Sequence, residues 1–159
     1  IMRELIQRIG EMENCKVLPP SGIPDIDIPS DLKEFYSLCG GVILFEACDY
    51  WFKISSPEEL IPANPYLLPE EYEKDIPKDD ISNNFYIIAR NGPEQAISIN
   101  LGDSQFGYCY DSFWELHATS ESSIIAYSFT FLLNSLIKSK GSYPYWLNSN
   151  FVSLGHLYD

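Results

Sequence analysis

The sequence predicts an α+β domain: a central, mostly antiparallel twisted sheet of about six strands, packed with N- and C-terminal helices. Two observations carry that expectation. Apolar stripes at helical spacing stand near both ends of the chain. Between them, short β-branched and aromatic runs follow one another closely, with turn residues at their junctions. With 159 residues, 45% of them hydrophobic, one domain spanning 1–159 has apolar material for a single core.

The elements follow in order. Met2, Leu5, Ile6, Ile9 and Met12 make one stripe on a helix over 2–13, whose last turn Gly10 weakens. Four prolines and Gly22 make 15–29 an ordered loop. Ser30 is a good N-cap for a helix with Leu32, Phe35, Tyr36 and Cys39 on one face, and Asp31 and Glu34 suit its positive end. Gly40 and Gly41 supply the left-handed residue that stops it. Residues 42–46 then start a strand, with 49–55 as its hairpin partner and Ala47 to Asp49 near the turn. Ser56, Pro57 and Glu59 have the spacing of a capping box, so a short helix starts there and ends before Pro62 and Pro65. Residues 64–84 form a long acidic excursion punctuated by proline. Strands over 85–90 and 95–101 flank the Asn91-Gly92 turn. Residues 105–110 follow the Gly102-Asp103-Ser104 turn, and 113–118 add one more short strand. The last helix covers 121–138. Ile125, Phe129, Leu132, Leu133 and Leu136 form its main stripe, Ile124 and Phe131 widen it, and Gly141 follows.

The charge is lopsided: 23 acidic residues against 10 basic, a net charge of −13. Such a field repels phosphate backbones, which argues against direct nucleic-acid binding. It favours a cationic partner, although solubility alone is the plainer account. Residues 57–80 hold eight carboxylates against Lys74 and Lys78, with Tyr66, Leu67, Leu68 and Tyr72 interleaved. An acidic rim with aromatic anchors describes a protein-binding surface, here Glu58, Glu59, Tyr66, Glu70, Glu71, Tyr72, Asp75, Asp79 and Asp80. A solvated loop pinned to the core by its apolar residues is the competing account.

Arg3, Glu4 and Arg8 interrupt any early apolar run, so no secretory leader is expected, and Ile1 ahead of Met2 reads as an added residue. The longest uncharged run, 122–137, is too short and too rich in Ser, Thr and Asn to span a bilayer. Cys15, Cys39, Cys48 and Cys109 show no metal-ligand spacing and read as reduced thiols, which together point to the cytoplasm and to no metal or cofactor.

Gly102-Asp103-Ser104 is the one enzyme-like motif. In a small GDS-type serine hydrolase Ser104 would be the nucleophile and His117 or His156 its base. Such enzymes place the Ser near the first strand of an α/β fold and an Asp-x-x-His late in the chain; this sequence does neither, and the triplet is ordinary turn chemistry. No Walker A or Rossmann glycine pattern occurs. Asp25, Asp27 and Asp31 lack the glycine and terminal Glu of a calcium loop. His117 reads as a satisfied strand histidine.

The order of these pieces resembles the SUKH superfamily, which includes yeast cell-wall-synthesis regulators and many bacterial immunity proteins. Ile28, Pro29, Leu32, Phe35, Gly40 and Gly41 are similar to its "lP-x-x-l-x-x-f … nGG" signature, with Cys39 where Asn is usual. The strand-rich middle, the late helix and the tail around Tyr145, Trp146, Leu147 and Gly155 are also similar; residues 62–84 are not covered. The resemblance implies a non-enzymatic domain that, in bacteria, neutralises a cognate polymorphic toxin, often a nuclease. Acidity fits independently, because a nuclease needs a basic surface that an acidic inhibitor can occupy. A regulatory scaffold or adaptor, as in the fungal relatives, is the alternative.

Overall fold

Seven short strands in chain order build the scaffold of the protein, described here over residues 1–159 by a computed structural model. They are β1 (Lys16–Val17), β2 (Val42–Leu44), β3 (Phe52–Ile54), β4 (Phe85–Arg90), β5 (Gln95–Asn100), β6 (Cys109–Phe113) and β7 (Ile124–Ala126). Each pairs antiparallel with the next, so the sheet is a simple meander with the order β1 to β7. The Asn91-Gly92 turn joins β4 to β5, and Gly92 takes the positive φ of 78° that such a turn requires.

Side-chain alternation gives the sheet two buried faces. On one lie α1 (Met2–Glu11), α2 (Ser30–Leu38) and α5 (Phe129–Ser139), whose apolar stripes meet Ile88, Ile97, Ile99, Cys109 and Ile125 in the main core. The other face is covered by α3 (Ala63–Leu67), where Ala63 and Leu67 pack on Phe85, Ile87, Ala96, Tyr110 and Ile124. A fifth helix, α4 (Glu70–Glu73), follows α3. No helix is long and apolar enough to cross a membrane.

The signature residues lie in the main core or at its edge. Leu32 and Phe35 are fully buried, and Ile28 and Trp146 nearly so. Trp146 donates its Nε1–H to Asp111 Oδ2 at 2.9 Å. Pro29 occupies the N-cap of α2, so Ser30 is its first helical residue and makes no side-chain cap bond. The cap function passes to another helix: Asp31 Oδ2 accepts from both N and Oγ1 of Thr130, each at 2.8 Å, and so ties α2 to the start of α5.

Gly41 takes the positive φ expected at this corner, 118°, but stands two residues past the C-cap of α2. Cys39 is the C-cap and is extended, with φ −154°. The glycines serve close approach. Gly40 N–H donates to Leu18 O and Leu18 N–H to Gly41 O, each at 2.9 Å. A Cβ on Gly40 would run into the Pro19 carbonyl, and one on Gly41, whose φ is 118°, would lie 2.8 Å from Ile54 O.

Two further expectations are corrected. The last helix starts at Phe129, not at 121, because Ile124–Ala126 pairs with β6 and Ser128 caps α5 by accepting from Phe131 N–H at 3.1 Å. Residues beyond Phe113 are not a strand but a tight turn through Ser120, held by Leu116 N–H and His117 N–H on Phe113 O.

Candidate functional site

The chain between β3 and β4 is far longer than a hairpin needs, and it carries most of the residues singled out for binding. It opens with the expected capping box, now on a 3-10 turn over Pro57–Glu59. Glu59 Oε1 accepts from Ser56 N–H at 3.0 Å and lies 3.0 Å from Lys53 Nζ, while Arg90 Nη2 donates to Oε2 at 2.6 Å. Burial pushes the Glu59 carboxyl up, but the Ser56 N–H and the Lys53 ammonium outweigh it and hold it below the usual carboxylate range. Arg90 also donates to the Tyr66 hydroxyl at 3.1 Å. Glu59 and Tyr66 are therefore engaged within the protein.

Asp80 is engaged too. Its carboxylate caps the 3-10 turn Ile81–Asn84 by accepting from Ser82 N–H at 3.0 Å, takes the Ser82 hydroxyl, and accepts from the Tyr158 hydroxyl at 3.1 Å. Glu58, Glu70, Glu71, Asp75 and Asp79 are exposed. They and Tyr72, which is 60% exposed, form the accessible part of the segment.

Beneath this segment runs a buried polar network that links distant parts of the chain. His117, 2% exposed, places Nε2 2.7 Å from Asn64 Oδ1 and Nδ1 2.9 Å from Ser112 Oγ. Asn64 Oδ1 can only accept, so Nε2 carries the proton and Nδ1 accepts from the Ser112 hydroxyl, which in turn accepts from Ser98. Asn64 Nδ2 donates on to Ser82 and Asn83. Burial holds the imidazole neutral, with its pKa pushed down to about 4. His156 lies 3.6 Å from Asp159, and neither histidine is hydrogen-bonded to Ser104, whose carbonyl accepts from Asn100 Nδ2 at 2.8 Å.

Above His117 the surface opens into a cleft of about 310 Å³. Leu68, Pro69, Tyr72 and Ile76 line it together with Trp114, Glu115, Ala118 and Thr119. Trp114 is 46% exposed, and its backbone N–H donates to Glu94 O at 2.7 Å, fixing the turn to the start of β5. Sequence reasoning passed over Trp114. The alternation of Phe113, Glu115 and His117 with Trp114, Leu116 and Ala118 looks like a strand, and nothing local announces that the turn faces α4.

The accessible side chains of the site are therefore acidic and aromatic, and Ser112, the serine bonded to His117, is fully buried. A family model described as the SMI1 / KNR4 family (SUKH-1) matches residues 24–135. The chain is also 39% identical over 160 residues to "Immunity protein YokJ" of Bacillus subtilis (strain 168), an alignment covering 98% of this chain and 94% of that protein.

Proposed function

Because the chain belongs to the SMI1 / KNR4 family (SUKH-1), we propose that it is an immunity protein that binds and neutralises a cognate toxin domain. The role is binding, in keeping with a family that neutralises toxins without enzymatic chemistry. The observation that carries the reading is the near-complete alignment with an immunity protein.

The finer reading is that the toxin domain is basic, a nuclease being the type that fits, and that it meets the exposed carboxylates Glu58, Glu70, Glu71, Asp75 and Asp79 beside Tyr72. An acidic inhibitor of this kind competes with the phosphate backbone for the same cationic surface. Glu59, Tyr66 and Asp80 support that surface from within, through Arg90, Ser82 and Tyr158. Such an inhibitor acts in the compartment where the toxin would act, which for a nuclease is the cytoplasm.

The test is co-purification and calorimetric titration with the toxin domain encoded beside this gene, together with rescue of cells expressing that domain. Stoichiometric binding and rescue are expected. Absence of binding would refute the immunity reading in favour of the scaffold role of the fungal relatives.

A further inference from the structure

We propose that the cleft between α4 and the Trp114–Thr119 turn is the anchor pocket for a basic segment of the partner, taking one large apolar side chain flanked by lysines or arginines. The inference rests on the toxin-binding reading and narrows it to one place and one chemistry.

The walls come first. Tyr72 and Trp114 are 60% and 46% exposed, and both line the cleft, as does Ile76. Exposed aromatic surface stands in water at a cost of roughly 25 cal/mol per Å² of apolar area. Aromatic residues lining a concave site are also the type that dominates binding energy. At about 310 Å³ the space suits a side chain rather than a folded element.

The floor then decides the polarity of the guest. His117 lies at the bottom, and both its ring nitrogens are already hydrogen-bonded, to Asn64 and Ser112. No buried side-chain nitrogen or oxygen in the protein lacks a partner. A guest reaching the floor meets carbon and a satisfied ring, so a sugar or nucleobase would lose its water without gaining a hydrogen bond there. An aliphatic or aromatic side chain loses nothing.

The rim decides the charge. Glu115 lines the cleft, and α4, which supplies Tyr72 to it, also carries Glu70, Glu71 and Glu73, with Asp75 just beyond, against Lys74. A neutral or acidic segment would strip water from these carboxylates without compensation. Flanking lysines or arginines pair with them instead, and exposed pairs of this kind act on association while the buried anchor acts on dissociation.

Two experiments decide it. The first follows the Trp114 indole N–H by NMR during titration with three peptides: Lys-Lys-Phe-Lys-Lys, Lys-Lys-Ser-Lys-Lys and Glu-Glu-Phe-Glu-Glu. A saturable shift with the first alone is expected. No shift with it, or an equal shift with either of the others, overturns the assignment whether or not a toxin is in hand. The second measures dissociation of the toxin domain encoded beside this gene from wild type, from Tyr72→Ser/Trp114→Ser, and from Tyr143→Ser, whose side chain packs on Tyr50 and lines no part of the cleft. Dissociation faster by roughly tenfold or more in the double variant, with the Tyr143→Ser rate unchanged, is expected. If wild type binds and the double variant dissociates at the wild-type rate, the cleft is overturned while the immunity reading stands; if wild type does not bind, that reading fails and the peptide experiment still decides the cleft.

Discussion

Acid should destabilise this protein through His117. The ring is buried and neutral, with a pKa of about 4 against an ordinary value of 6.5. The direction follows from proton counting. Above pH 6.5 the folded and unfolded chains both hold a neutral imidazole, and His117 contributes no pH dependence. Between 6.5 and 4 the unfolded chain takes up a proton that the folded chain refuses, so stability falls as pH falls. The loss amounts to about 2 kcal/mol at pH 5 and about 3 kcal/mol at pH 4. The opposing charge is Asp80, which favours the protonated ring but does not offset burial. Urea unfolding followed by fluorescence at a series of pH values measures the slope for wild type and for His117→Gln. The variant is expected to be less stable at neutral pH, because Asn64 and Ser112 lose their fitted partner, yet flatter between pH 6.5 and 5. Taking the difference between the two proteins cancels the titrating groups that are not coupled to the ring. Parallel curves, or an NMR titration of the His117 ring near its ordinary value in the folded protein, would refute the reasoning.

Three other perturbations follow from the geometry. Gly41→Val should cost about 2 kcal/mol or more, since it forces a β-branched residue to positive φ and drives Cβ towards Ile54 O; a thermal melt with an unchanged midpoint would show that the corner can relax. Asp31→Ala removes the acceptor for Thr130 N–H and Oγ1, and should cost ~1–2 kcal/mol in urea unfolding. Reversing Glu70, Glu71, Asp75 and Asp79 to lysine should slow association with a basic partner most at low salt, with an unchanged melting midpoint. Asp80 is left out of that set because its loss would free Ser82 and Tyr158, and an association rate insensitive to the four reversals would remove the acidic surface from the binding reaction.

The parts of the fold legible in the sequence are those set by local chemistry. The first helix and the Asn91-Gly92 hairpin lie where periodicity and turn residues put them. So does the capping box at Ser56. Parts set by partners far along the chain were misread. The Ile124–Ala126 run suits either helix or strand, and pairing with Cys109 and Tyr110 decides for strand. Gly40 and Gly41 sit at the expected corner and Gly41 has the expected positive φ, but the close approach of Pro19 to Gly40 and of Ile54 to Gly41 is not legible locally. Composition located the acidic residues, yet it could not separate Glu59 and Asp80, which have internal partners, from Glu70 and Glu71, which face solvent. His117 was expected to be satisfied, and it is, but its partner Asn64 stands 53 residues away.

The segment between β3 and β4 serves the core and the surface with the same residues, and that bears on how binding can be tight. β3 pairs with only the last part of β4, at Arg90 and Ala89. The first part of β4 takes its partner from this segment instead, through the Pro62–Tyr86 bridge and the Ile87 N–H on Ile61 O. The segment then covers the second sheet face with Ala63 and Leu67. Asn64 at its near end bonds Ser82 and Asn83 at its far end, closing the loop that carries α4. A free loop of this length would lose backbone freedom on meeting a partner, at about 1–2 kcal/mol for each residue fixed. Here that ordering is complete when the chain folds, because the loop ends are locked through the network under His117. The exposed carboxylates and Tyr72 are then presented by a held framework, so an interface built on them can be governed by charge and anchor rather than by the entropy of an unstructured acidic loop.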